Sequence, residues 1–122
     1  MQQFSGFLTD RGSKYAVSGA SVATRDDVKA FLKKLGRDKK FAKASHNTWA
    51  AILPDIGPVK GDDGEAGAGF VILRMLEREG VNGHIVVVTR WFGGTKLGGD
   101  RFRRVQDCVA HYFENAKIGG DA

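Results

Sequence analysis

Ile85-Val86-Val87-Val88 is apolar at four successive positions inside the stretch His84 to Trp91. A strand with one wet face alternates apolar and polar residues; one without alternation is covered on both faces. The chain is therefore expected to hold this strand in a sheet and to cover it on both sides. Three helical patterns supply the cover. Val28, Phe31, Leu32 and Leu35 recur at i, i+3, i+4 and i+7 and end near Gly36. Thr24-Arg25-Asp26-Asp27 before them has the form of a capping box, a threonine with a carboxylate three residues on. A second helix is expected from about Glu65, with Ala68, Val71, Ile72, Met75 and Leu76 buried and Gly80 as C-cap. Its first-turn acids suit the positive end of a helix dipole. A third runs from about Gly98 to Ala116 and buries Phe102, Val105, Cys108, Val109 and Tyr112.

Three more strands complete the pattern. Phe4 to Leu8 and Lys14 to Val22 flank a turn at Asp10-Arg11-Gly12. Ser45 to Leu53 is stopped by Pro54, and Asp55 to Gly64 reads as a loop. The order is ββαβαβα. This is an α+β domain with a four-stranded sheet and helices packed on it. The last residues, Gly119 to Ala122, are expected to fray.

A length of 122 residues fits one domain, with a core from about residue 14 to 113. The single cysteine, Cys108, excludes an internal disulfide and fits a reducing, cytoplasmic setting. No signal pattern and no membrane-length apolar run occurs, so no membrane partner is expected. Net charge is +5, which favours an anionic partner such as RNA, a phosphate group or an acidic protein face. The cations form two groups. Arg25, Lys29, Lys33, Lys34, Arg37, Lys39, Lys40 and Lys43 make one; Arg90, Lys96, Arg101, Arg103 and Arg104 make the other.

The second group belongs to Arg90-Trp91-Phe92-Gly93-Gly94-Thr95-Lys96-Leu97-Gly98-Gly99-Asp100-Arg101, the candidate functional segment. Its four glycines free the backbone for positive φ. The helix that follows offers first-turn amides that attract anions. Lys96, Gly98, Arg101, Arg103 and Arg104 are the expected contacts, since cations in a first helical turn oppose the dipole unless an anion sits there. The segment lacks the lysine-then-serine or threonine ending of a P-loop and the dinucleotide glycine fingerprint. A tight strand-to-helix turn with Trp91 and Phe92 packing the core accounts for the same residues.

His46 and Asn47, which open the third strand, are further candidates, as are Asp62, Asp63 and Glu65. The first pair could serve a ligand or hold a loop. The acids could bind a hard cation or simply cap the next helix. Metal-ligand spacing is absent, and no nucleophile has a base beside it in sequence. An enzyme acting on a phosphorylated small molecule therefore ranks below a binding domain.

Ser45-His46-Asn47-Thr48-Trp49-Ala50, then Asp62-Asp63-Gly64-Glu65 with Gly69, then Val86 through Gly98 resemble, in that order, the three signature stretches of the IMPACT (imprinted and ancient) family. The likeness runs from about Lys14 to Phe113. Leu97-Gly98-Gly99-Asp100-Arg101-Phe102 is closer to the eukaryotic branch than to the bacterial YigZ-type branch. The resemblance implies a fold like the second domain of ribosomal protein S5, no catalytic activity and no cofactor. It also implies a regulatory role in translation and stress response. The expected partners are a ribosome-associated or translation-regulatory protein, with actin and RNA as further possibilities. Eukaryotic relatives carry an N-terminal RWD domain, and no such domain is read in these residues.

Overall fold

The protein is described by a computed structural model over residues 1–119. The expected fraying of the C-terminal end falls, at residues 120–122, outside the described residues. The elements in chain order are β1 (Gln2–Asp10), β2 (Ser13–Ser21), α1 (Arg25–Gly36), α2 (Lys39–Ala42), β3 (His46–Leu53), β4 (Gly57–Gly61), α3 (Ala68–Glu79), β5 (His84–Trp91) and α4 (Asp100–Asn115). The class is α+β, as read from the sequence.

The strands form one antiparallel sheet in the order β1-β2-β5-β3-β4. β5 takes the centre, and every residue from His84 to Arg90 is buried. The unalternating apolar run is satisfied from both sides. Val86 and Val88 join Tyr15, Val17, Ile72, Leu76, Val105, Cys108 and Val109 under α3 and α4. Ile85 and Val87 join Ala16, Val28, Phe31, Leu35, Phe41 and Leu53 under α1 and α2.

The sheet has five strands, not four. The fifth, β4, lies in the stretch read as a loop. Its Pro58 cannot donate to a ladder, which argues against a central strand. β4 is an edge strand that pairs only with β3, and Pro58 stands opposite Ile52 there. The four-residue α2 was also missed; Asp38 caps it by accepting from the Lys40 amide, and Phe41 anchors it in the core.

Three local readings hold. The Thr24 hydroxyl accepts from the Asp27 amide, and the Asp27 carboxylate accepts from Thr24 N–H, closing the capping box of α1. Arg11 and Gly12 both have positive φ, the requirement of a type I′ hairpin turn. Gly80 ends α3 in the left-handed conformation. The start of α3 differs from expectation: the helix begins at Ala68, and no acid lies in its first turn. Asp62 caps it from outside, accepting from the amides of Gly67 and Gly69 at 3.1 and 2.8 Å. Those bonds pull the Asp62 carboxyl below its ordinary range, the Gly67 bond most.

Candidate functional site

β5 reaches the end of the sheet at Trp91, where the N-termini of α3 and α4 also arrive. Between them lies a cleft of about 340 Å³. His46, Glu65, Arg90, Lys96, Gly98 and Arg101 line it, so six of the eleven sequence candidates converge.

The cleft floor is an ion pair. Arg90 Nη1 donates to Glu65 Oε2 at 2.6 Å, and both side chains are nearly inaccessible. Ser13 Oγ accepts from Arg90 Nε and Nη2, each at 3.3 Å, and from the Gly93 amide at 3.3 Å. Arg90 is thus a fixed structural cation rather than a free contact residue. Glu65 is turned inward to meet it, so its carboxylate neither caps α3 nor stands open to a hard cation. Ser13 is a fixed acceptor that ties β2 to β5 and to the turn after it. Its scaffolding role has no linear signal, because its partners lie 77 and 80 residues away.

Asn47, Asp62 and Asp63 hold the walls and do not line the cleft. The Asn47 amide donates to Asp63 Oδ2 at 2.7 Å, while its side chain links Phe41 O to Thr89 Oγ1. His46 Nδ1 sits 2.9 Å from the Asp63 carbonyl.

The loop from Phe92 to Gly99 combines architecture and contact. Phe92 N–H donates to Ser45 Oγ at 2.8 Å, and the Trp91 indole donates to Lys40 O at 2.9 Å. A Cβ on Gly93 would overlap the Gly12 carbonyl carbon, so the two turns touch backbone to backbone. Leu97 is buried, whereas Lys96 and Gly98 are exposed. Phe92 is 50% exposed at the rim, with the Arg90 guanidinium 5.7 Å from its ring. Its exposure rules out, for Phe92, the alternative in which it packs the core.

The α4 terminus is less open to anions than its sequence suggests. The amides of Asp100, Arg101 and Phe102 donate to the carbonyls of Leu97, Gly98 and Gly99. Arg101 Nη1 adds a bond to Gly98 O at 2.9 Å. Arg103 and Arg104 do not line the cleft. Arg103 is exposed elsewhere on α4. Arg104 lies 3.5 Å from Asp10 and 3.0 Å from Asp107, and Arg11 bridges Asp10 to Asp100. Of the cations near the start of α4, Arg104 is therefore balanced by carboxylates of the chain itself, while Arg101 and Arg103 enter no ion pair among the described residues.

Cys108, His84 and His111 are structural. Cys108 is fully buried and burial pushes its thiol well up. His84 Nε2 lies 2.6 Å from the Tyr112 hydroxyl inside the core, and His111 stacks on Phe7. Among the described residues, no group of three or more His, Cys, Asp or Glu is placed to hold a metal ion. No described helix is long and apolar enough to cross a membrane.

The family model of the Impact N-terminal domain matches residues 11–113. The chain belongs to that family. Its relatives include the Protein IMPACT of Rattus norvegicus, 39% identical over 84% of this chain, and that of Homo sapiens, 38% identical over the same share. The chain spans about a third of their length, 34% and 33% respectively. A solved structure titled as the two-domain translational regulator Yih1 matches with a TM-score of 0.55 and 36% identity, over 85% of this chain and 42% of that one. A crystal structure of a hypothetical protein matches with a TM-score of 0.83 over 96% of this chain and 59% of that one; at 22% identity it shows the fold alone. All three stretches that carried the IMPACT resemblance contribute to the cleft: His46 from the first, Glu65 from the second, and Arg90, Lys96 and Gly98 from the third.

Proposed function

We propose that this domain is a non-catalytic binding module of translational control, and that the cleft and its rim dock an acidic face of a translation-regulatory, ribosome-associated protein. The observation that carries this reading is the convergence of three separated sequence stretches on one cleft. Lys96 and Arg101 supply positive charge there, and Phe92 supplies an exposed aromatic of a type enriched at protein interfaces. A binding role is supported by the state of the ionisable groups. The Glu65 carboxylate is consumed by Arg90, and no serine, threonine or cysteine lines the cleft beside His46. The likeness to the translational regulator Yih1 gives the translational context. The role in stress response, the cytoplasmic setting, actin as a second partner and a fold like the second domain of ribosomal protein S5 belong to the same proposal, on the family resemblance.

The test is a capture experiment with the domain and with a Phe92→Ala/Lys96→Glu/Arg101→Glu variant, all exposed or half-exposed positions. The expected result is recovery of ribosome-associated regulators by the first and at least tenfold less by the second. Recovery of none, or equal recovery by both, would remove the cleft as the docking site.

A further inference from the structure

The other basic group, Arg25 to Lys43, lies on the opposite side of the sheet from the cleft. Residues 25–43 hold eight cations against Asp26, Asp27 and Asp38, a net of five, while the rest of the chain carries eleven basic and eleven acidic residues. The whole formal charge of +5 therefore sits on α1, α2 and their connection. All eight cations are exposed. None of them enters an ion pair among the described residues. Two of the three acids are committed to helix starts, Asp27 in its capping box and Asp38 at the Lys40 amide. Lys33 and Lys34 complement the C-terminal dipole of α1. That interaction accounts for two cations, not eight.

An apolar groove of about 320 Å³ runs beside this charge. Leu32, Leu35 and Gly36 of α1, Asn47 and Trp49 of β3, and Asp63 line it. Trp49 is half-buried, and its indole rests on Gly61, where a side chain would collide with it. A partly exposed indole beside a line of cations outside any ion pair is the pairing that single-stranded nucleic acids use. The backbone phosphates track the charge and unstacked bases pile on the aromatic ring. A duplex keeps its bases stacked inside and has no use for the groove. An acidic protein face would use the charge but not select for a free base.

We propose that the α1–α2 face binds single-stranded nucleic acid, with phosphates along α1 and α2 and a base in the Leu32–Trp49 groove. Asp63, whose carboxylate accepts from the Asn47 amide, lines the groove and disfavours a phosphate there, which leaves the phosphates to the helical side. This site is independent of the cleft and of its proposed protein partner.

The probes are labelled twelve-nucleotide U-rich RNA, its DNA counterpart, and an RNA duplex of equal length, each titrated by fluorescence anisotropy from 50 to 300 mM KCl. Tight binding of the single strands is expected, with log K falling against log salt at a slope of about −3, as for about four phosphates on a single strand. Tryptophan fluorescence should quench on binding. Lys29→Glu/Lys33→Glu/Arg37→Glu should weaken binding at least a hundredfold, and Trp49→Phe several-fold. Lys96→Glu/Arg101→Glu, in the cleft, should leave it unchanged. The RNA and DNA arms tell which sugar is preferred. Absence of salt-dependent binding at 50 mM KCl overturns the proposal, as does unchanged affinity in the triple variant with its circular dichroism intact. Equal binding of the duplex without quenching overturns the groove and single-strand assignment, and exclusive binding of an acidic protein at this face overturns it entirely.

Discussion

Arg90 and Glu65 illustrate how one contact can set the geometry of a site. Both are buried, at 5% and 4% exposure, and each satisfies the other. Removing one leaves a charge without a partner in the core, which costs about 3–5 kcal/mol, whereas replacing both by apolar residues of similar size is far milder. Arg90→Met and Glu65→Leu should each destabilise by about that amount in urea unfolding, and the double variant by less than the sum. Additive losses would mean that the pair is not coupled. His84 is the second informative residue. Burial, reinforced weakly by the N-terminal charge, holds its pKa below the ordinary 6.5. The unfolded chain then binds more protons than the folded one as pH drops below about 6.5, so stability present above that value is lost toward acid. The Asp62 and Asp27 carboxyls are depressed by backbone hydrogen bonds, and their contribution is lost only as pH falls below 3.8. Thermal unfolding between pH 7.5 and 5.0 should therefore show a falling Tm that flattens in His84→Gln. A slope unaltered by that change would exclude His84 as its source.

At the level of elements, the glycines after β5 divide into two kinds. A side chain at Gly93 would strike the backbone of Gly12, and neither turn can yield without disturbing Ser13 and its bonds to Arg90. Gly93→Ala should cost about 1–3 kcal/mol, the range for overpacking. Gly99 has helical φ and ψ of −66° and −21° and open space around its Cα. Gly99→Ala should be neutral or stabilise by about 0.5 kcal/mol through the unfolded chain. Equal losses in denaturant titrations of the two would contradict this division. The same contrast explains what the sequence could and could not show. Local signals are reliable where their partners are local. The Thr24 box, the Asp10-Arg11-Gly12 turn, the Gly80 cap and the apolar run of β5 all stand where their residues put them. β4 escaped because Gly57 and Pro58 read as loop chemistry, and only its place at the sheet edge makes them acceptable. The cleft was half legible. Its glycines and cations announce a site, but the inward turn of Glu65, the silence of Arg104 in a carboxylate network and the exposure of Phe92 depend on contacts across the fold.

Across the whole molecule, the two faces of the sheet share β5, and this coupling makes a prediction about how the protein opens. Cys108 is fully buried in the α3–α4 core, among side chains of β2, β5, α3 and α4. Its thiol has no route to solvent while α4 stays in place, and burial keeps it protonated, whereas the thiolate is the reactive form. Reaching it means lifting α4 from Val86 and Val88, whose strand neighbours Ile85 and Val87 hold the opposite core. Loss of one layer thus exposes the central strand and undermines the other. That arrangement favours a single cooperative transition. Labelling by an aromatic disulfide reagent should be negligible over hours without denaturant and should rise with urea in parallel with loss of far-ultraviolet circular dichroism. Both curves should share one midpoint. Rapid labelling well below that midpoint, with the dichroism intact, would show that α4 opens alone and that the layers fold as separate units.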